Sequence, residues 1–180
     1  MNMSNALLIE GNEEQTHPDD QWSMAQGIKN GKPLLVRYRS ERPQGVDVSA
    51  FPFLLSATWT FQPNEFGLPS SEEMVLMDKF EDVLATSLEG SKTAYLMVIL
   101  TGNSERDWLW YTCGEDDAMR RVNHALKSHK PYPVQFSVQQ DRAWRAYTQF
   151  VAGNGKELKE RGVFEIIRLA VAKAIKIVRG

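Results

Sequence analysis

Between Phe51 and Gln62 every second residue is apolar: Phe53, Leu55, Ala57, Trp59 and Phe61 fall on one side, with Ser56, Thr58 and Thr60 on the other. A period of two with one apolar side marks a strand that covers a core with one face. The segments C-terminal to this strand narrow the fold further. Ser70 with Glu73 three residues later has the form of a capping box, and Met74, Met77, Phe80, Val83, Leu84 and Leu88 then recur at helical spacing until Gly90 stops the helix. Ala94 to Leu100 is apolar on both sides, as in a strand covered on both faces or lying mid-sheet. Thr101-Gly102-Asn103-Ser104 turns it into a second strand, Arg106 to Cys113. Gly114 and the acids Glu115, Asp116 and Asp117 open a second helix through Met119, Val122 and Leu126, since acids in a first turn complement the helix dipole. Pro131 and Pro133 bound a last strand on which Val134, Phe136 and Val138 alternate with Gln135, Ser137 and Gln139. The order strand, helix, strand, strand, helix, strand predicts an α+β, ferredoxin-like split βαβ core: an antiparallel sheet with both helices on one face.

The flanks add to this core. Asn30-Gly31 between Trp22 to Gln26 and the alternating segment Leu34 to Arg39 predicts a hairpin that extends the sheet, with cover over its open face as the alternative placement. Ser40 to Ala50 reads as a loop, and Asp141 caps a helix through Trp144, Tyr147 and Phe150 that Gly153-Asn154-Gly155 ends. Residues 1–20, with Glu10, Glu13, Glu14, Asp19 and Asp20, form a mobile acidic tail on this reading. Residues 21–153 form a single α+β domain, and 154–180 a C-terminal amphipathic helix. That last segment carries a net basic excess in an otherwise acidic chain. Its polar residues Glu157, Arg161, Glu165, Arg168, Lys176 and Arg179 make one stripe, and nearly everything else from Val163 to Val178 is apolar. An apolar sector that broad needs cover on several sides. Phe164, Ile167, Val171 and Ile175 are therefore the candidate interface for self-association or a protein partner. A basic helix lying on a membrane surface is the rival.

Charge and residue counts exclude several classes. Lys+Arg 21 against Asp+Glu 23 gives −2, which argues against a general nucleic-acid binder. One Cys, Cys113, makes neither an internal disulfide nor a Cys-rich zinc site. The apolar run at Ala6 to Ile9 is too short for a secretory signal, and Glu165, Arg168, Lys173 and Lys176 interrupt the nearest approach to a membrane span, so a cytoplasmic location is expected. Gly153-Asn154-Gly155-Lys156 lacks the spacing, the Ser/Thr and the preceding strand of a phosphate loop. His124 and His129 are five apart, whereas helical metal pairs are three or four apart. The adjacent acids Glu72-Glu73, Glu81-Asp82 and Asp116-Asp117 diverge by about 100° on a helix and read as solvated faces. No cofactor and no metal are implied.

Four residues stand out as ligand-binding candidates. Arg106, Trp108 and Trp110 share one side of a predicted central strand, the placement with which RNA-recognition sheets stack bases. Two indoles packed under helices are the plainer interpretation, because aromatics in central strands are ordinary core. Arg37, with Arg39 on the same side of its strand, could meet an anion or pair with local acids.

One distributed pattern is familiar. Trp22…Arg37, Gly67-Leu68-Pro69-x-x-Glu72-Glu73, Leu76, Glu81-Asp82-x-Leu84, Thr101-Gly102…Trp108-x-x-Tyr111, Tyr132-Pro133, Trp144 and Tyr147 together resemble the bacterial domain of unknown function 695. The resemblance spans about residues 20 to 150 and implies small proteins with no established catalytic residues. A more distant fold resemblance to the protein regulator that inhibits ribonuclease E implies a protein-binding, regulatory role. The function expected is therefore a non-catalytic protein-binding or regulatory module, associating with itself through the last helix. The alternatives are an RNA- or nucleotide-binding module built on Arg106, Trp108 and Trp110, and an enzyme whose residues, such as Asp141, Arg37 and Tyr111, come from distant positions.

Overall fold

The computed structural model describes residues 22–29 and 32–152. Six strands form one antiparallel open sheet: β1 (Trp22–Lys29), β2 (Lys32–Arg39), β3 (Phe53–Thr60), β4 (Ala94–Gly102), β5 (Glu105–Thr112) and β6 (Val134–Gln140). Their order across the sheet is β1-β2-β4-β5-β3-β6. The expected strand–helix–strand–strand–helix–strand order occupies the β4-β5-β3-β6 part. The N-terminal hairpin extends the sheet at the β4 edge, as β2 pairs with β4 through Val36↔Leu100 and Arg37↔Ile99. Within the hairpin Lys29 pairs with Lys32. The Asn30-Gly31 turn itself lies outside the described residues.

Three helices cover the sheet. α1 (Ser71–Leu88) and α2 (Glu115–Leu126) lie on one face; α3 (Arg145–Ala152) lies on the other. The Ser70 hydroxyl accepts the Glu73 amide N–H at 3.2 Å and so caps α1 as its sequence predicts. The reverse half of the capping box is not made, because the Glu73 carboxylate accepts the Trp59 indole N–H at 3.1 Å instead. Gly90 ends α1 by close approach: a Cβ there would stand 2.4 Å from the Thr86 carbonyl oxygen.

Each sheet face has its own core. Leu55, Ala57, Trp59 and Phe61 meet Met77, Phe80, Leu84 and Leu88 of α1 and Ala118 and Val122 of α2. On the opposite face Leu34, Val36, Leu54, Val98, Leu100, Leu109 and Tyr111 meet Trp144, Tyr147 and Phe150. The alternation in β3 thus sorts its residues as expected, and β4 is buried on both faces because helices stand on both sides. β4 also carries an irregularity. Its register against β5 shifts between Leu96 and Val98, leaving Met97 as a one-residue bulge. Leu96, Ile99 and Thr101 consequently share the α1 side, although their numbers differ in parity.

The loop from Ser40 to Ala50 contains a 3-10 turn at Val48–Ala50, capped by Asp47. At the β4–β5 reversal Asn103 and Ser104 both have positive φ, 55° and 67°, the geometry of a tight two-residue hairpin turn. The acidic tail of residues 1–20, the Gly153-Asn154-Gly155 stop and the C-terminal segment of residues 154–180 lie outside the described residues, and with them Phe164, Ile167, Val171 and Ile175.

Candidate functional site

A pocket of about 420 Å³ opens on the α1 side of the sheet, between the hairpin, the loop before α1 and the first half of α1. Strand register builds its floor. One cross-sheet row runs Met24, Arg37, Ile99, Trp108; the next runs Leu35, Thr101, Arg106. Arg37 on β2 and Arg106 on β5 therefore flank β4, whose Ile99 and Thr101 lie between them. The α1 wall presents Met74 and Asp78, and Glu81 follows on the same helix face at spacings of four and three residues. The loop wall is rigid. The Asn64 side chain accepts the amide N–H groups of Phe66 and Leu68, at 2.9 and 3.1 Å, and donates to the Pro69 carbonyl at 3.3 Å. Gly67 holds a φ of 78° and lies against Pro33, so the loop closes onto the start of β2.

Glu81 organises the charges. One carboxylate oxygen pairs with Arg37, while the other accepts the Trp108 indole N–H at 2.8 Å and lies 3.3 Å from Nη2 of Arg106. Asp78 stands 3.5 Å from the same Arg106 nitrogen, and Nη1 of Arg106 faces the Met74 sulfur at 3.4 Å. Burial lowers the Arg106 pKa from its ordinary value; Glu81 and then Asp78 raise it, and the nearby Arg37 charge lowers it. Arg37 also stacks on Trp22, with its Cζ 5.0 Å from the ring centroid, and Arg106 on Trp108 at 5.1 Å. Adjacent along the same seam, Arg39 is buried, donates to the Leu96 carbonyl at 2.8 Å and pairs with Glu89 at 2.8 Å.

These contacts correct two expectations. Glu81 is not a solvated helix acid: its side chain is 16% exposed and held by three donors. Arg39 is not an exposed strand arginine, and the acidic partners of both strand arginines come from α1 and its C-cap residue Glu89, more than forty residues away in sequence. Of the four ligand-binding candidates the structure brings Arg37 and Arg106 to one pocket. It places Trp108 and Trp110 wholly inside the core, with Phe80 edge-on to Trp108 at 5.0 Å. A base cannot stack on rings covered by α1 and α2. What single-residue spacing could not show is the contribution of Glu81, Asp78 and Trp22. An acid at helical phase with Met74 and Met77 was the available signal that Glu81 faces inward.

The distant trio does not assemble. Tyr111 and Asp141 do meet, the phenol donating to the carboxylate at 2.6 Å. Asp141 also accepts the N–H groups of Arg145 and Ala146 at 2.9 and 3.0 Å, which makes it the cap of α3. Burial, then the bond to Asp141, raise the Tyr111 pKa far above its ordinary value. This pair sits on the α3 face, with Trp144 stacked on Tyr111 at 4.2 Å, whereas Arg37 lies on the α1 face. Among the described residues no group of three or more His, Cys, Asp and Glu could hold a metal ion, and no helix is long and apolar enough to cross a membrane.

Fold and pocket together define an α+β domain on a six-stranded antiparallel sheet with a charge-paired pocket on its two-helix side. The chain belongs to the family of unknown function DUF695, whose model matches residues 20–152, the span of the sheet and its three helices. No curated protein and no solved structure matches it significantly.

Proposed function

We propose that the domain is a non-catalytic module that binds another polypeptide at the mouth of this pocket. One observation carries the reading. The large apolar side chains exposed among the described residues are Met24, Phe66, Val75 and Leu76; Met24 lines the pocket itself, and Phe66 belongs to the loop between its lining residues Asn64 and Leu68. Met24 is 74% and Phe66 67% exposed. Apolar exposure beside a concavity is typical of an interaction surface, whereas scattered single residues are ordinary. The arginines in the pocket are paired with Glu81 and Asp78, and among the described residues no nucleophile–base pair stands beside them. Panning a peptide library against the folded domain tests the reading. Peptides should be enriched, and their binding should fall at least tenfold in Met24→Ser and Phe66→Ser. Failure of any peptide to bind, or binding indifferent to both substitutions, overturns it.

The same module associates with itself through residues 154–180 on this reading. The support is the broad apolar sector of the sequence around Phe164, Ile167, Val171 and Ile175. Light scattering on the full chain should give a dimer, and on a chain ending at residue 152 a monomer. Monomers in both cases remove self-association from the reading.

A further inference from the structure

We propose that the pocket takes the free carboxyl terminus of a partner polypeptide ending in an apolar residue. The carboxylate lies between Arg37 and Arg106, and the terminal side chain lies against Leu35, Met74 and Ile99. The inference deepens the polypeptide-binding reading and rests on it.

Unspent hydrogen-bond donors point to the ligand. Nε of Arg37 and Nε of Arg106 are both buried without an acceptor, and the Arg106 side chain is only 6% exposed. Buried donors are ordinarily satisfied, so two on side chains that line one pocket call for acceptors from outside. The buried carboxylate beside the pocket and the amide in its loop wall are already engaged. Glu81 uses one oxygen for Arg37 and the other for Trp108 and Arg106. The Asn64 carbonyl is held by the backbone of its own loop. Asp78 is 61% exposed, so water screens its charge where it faces Arg106. The inner end thus presents two guanidinium groups that keep unspent N–H donors after pairing with Glu81 and Asp78, and an incoming carboxylate supplies the missing acceptors. Guanidinium groups match the planar geometry of a carboxylate. The apolar floor and walls, Leu35, Ile99, Leu68 and Met74, ask that the anion be carried on an apolar body. Met24 on the pocket's lining and Phe66 on its loop wall carry exposed apolar surface beyond the pocket. A polypeptide leading away from its last residue covers that surface; a small carboxylate leaves it wet.

Fluorescence anisotropy tests this with a fluorescein-labelled decapeptide ending in leucine, offered as the free acid and as the C-terminal amide, and with octanoate as competitor. The free acid should bind at least tenfold more tightly than the amide. Arg37→Gln, with cooperative thermal unfolding as the check on its fold, should abolish that preference, and Arg37→Lys should restore part of it. Arg106→Gln is a second variant, used if its thermal unfolding remains cooperative. Equal binding of acid and amide overturns the inference while leaving polypeptide binding intact, as does a preference that survives Arg37→Gln. Octanoate displacing the peptide at equal concentration assigns the site to small carboxylates and also overturns it. If library peptides fail to bind at all, the polypeptide reading falls with it.

Discussion

The Glu81 carboxylate accepts the Trp108 indole N–H at 2.8 Å while it pairs with Arg37 across the sheet. One helix residue therefore ties β2, β5 and a central core aromatic to α1. Breaking such a hub leaves Arg106 buried without its nearest counter-charge. Removing one partner of a buried ion pair costs about 3–5 kcal/mol. Glu81→Leu should lose stability at the lower end of that range, read as a drop in the urea midpoint at unchanged slope. Glu81→Gln should lose less, since its amide oxygen still accepts from Trp108.

Trp144 has a φ of 53°, a left-handed conformation that a bulky residue rarely adopts. It stays there because its ring stacks on Tyr111 and its indole N–H reaches the Phe51 carbonyl at 2.9 Å. Truncating a buried aromatic costs about 3–5 kcal/mol. Trp144→Gly should nevertheless be less damaging than Trp144→Ala by about 1 kcal/mol, because glycine removes the backbone strain that alanine keeps. Denaturant melts of the two variants check the inverted order.

Ser104 offers the opposite case. It occupies the second positive-φ position of the β4–β5 turn, where glycine is preferred, and its backbone carbonyl accepts the Phe61 N–H at 2.9 Å. Ser104→Gly preserves that bond and should stabilise the domain by about 0.5–1 kcal/mol, measurable as a rise in Tm.

Alkaline pH should unfold the protein through Tyr111. Its phenol is neutral in the fold, with a pKa raised by burial and by Asp141. The stability it contributes is complete below the unfolded-state pKa of about 10 and is lost as pH climbs beyond that value toward the folded one. Each pH unit above about 10 should cost up to about 1.4 kcal/mol from this group. Tyr147, also raised, adds a second contribution. The slope of stability against pH between 10 and 11 should be shallower in Tyr111→Phe.

The sequence disclosed most of the fold where one face of an element is apolar and the other is not. β3 and β6 alternate, α1 begins at a serine cap, and Asp141 caps α3, all through local chemistry. β4 hid its bulge because Ala94 to Leu100 is apolar throughout, so a slipped parity leaves no trace in hydrophobicity. The pocket was harder still. Arg37 and Arg106 were visible as candidates, but their meeting at Glu81 depends on β2 lying beside β4 and β4 beside β5, a relation between residues 44 and 25 positions apart. The left-handed backbone at Trp144 has no local signature either, since no glycine or asparagine marks it.

The surplus residue in β4 works as a phase switch along the strand. Because it is housed at Met97, Ile99 and Thr101 look toward the two guanidinium groups, while Val98 and Leu100 look toward α3. Were the extra residue accommodated beyond Thr101, toward Gly102, regular alternation from Ala94 would turn Val98 and Leu100 onto the arginine side. A hydroxyl would then give way to an isobutyl group without any change in composition. Where a strand stores its odd residue can thus set the chemistry of a cavity as firmly as the choice of amino acids around it.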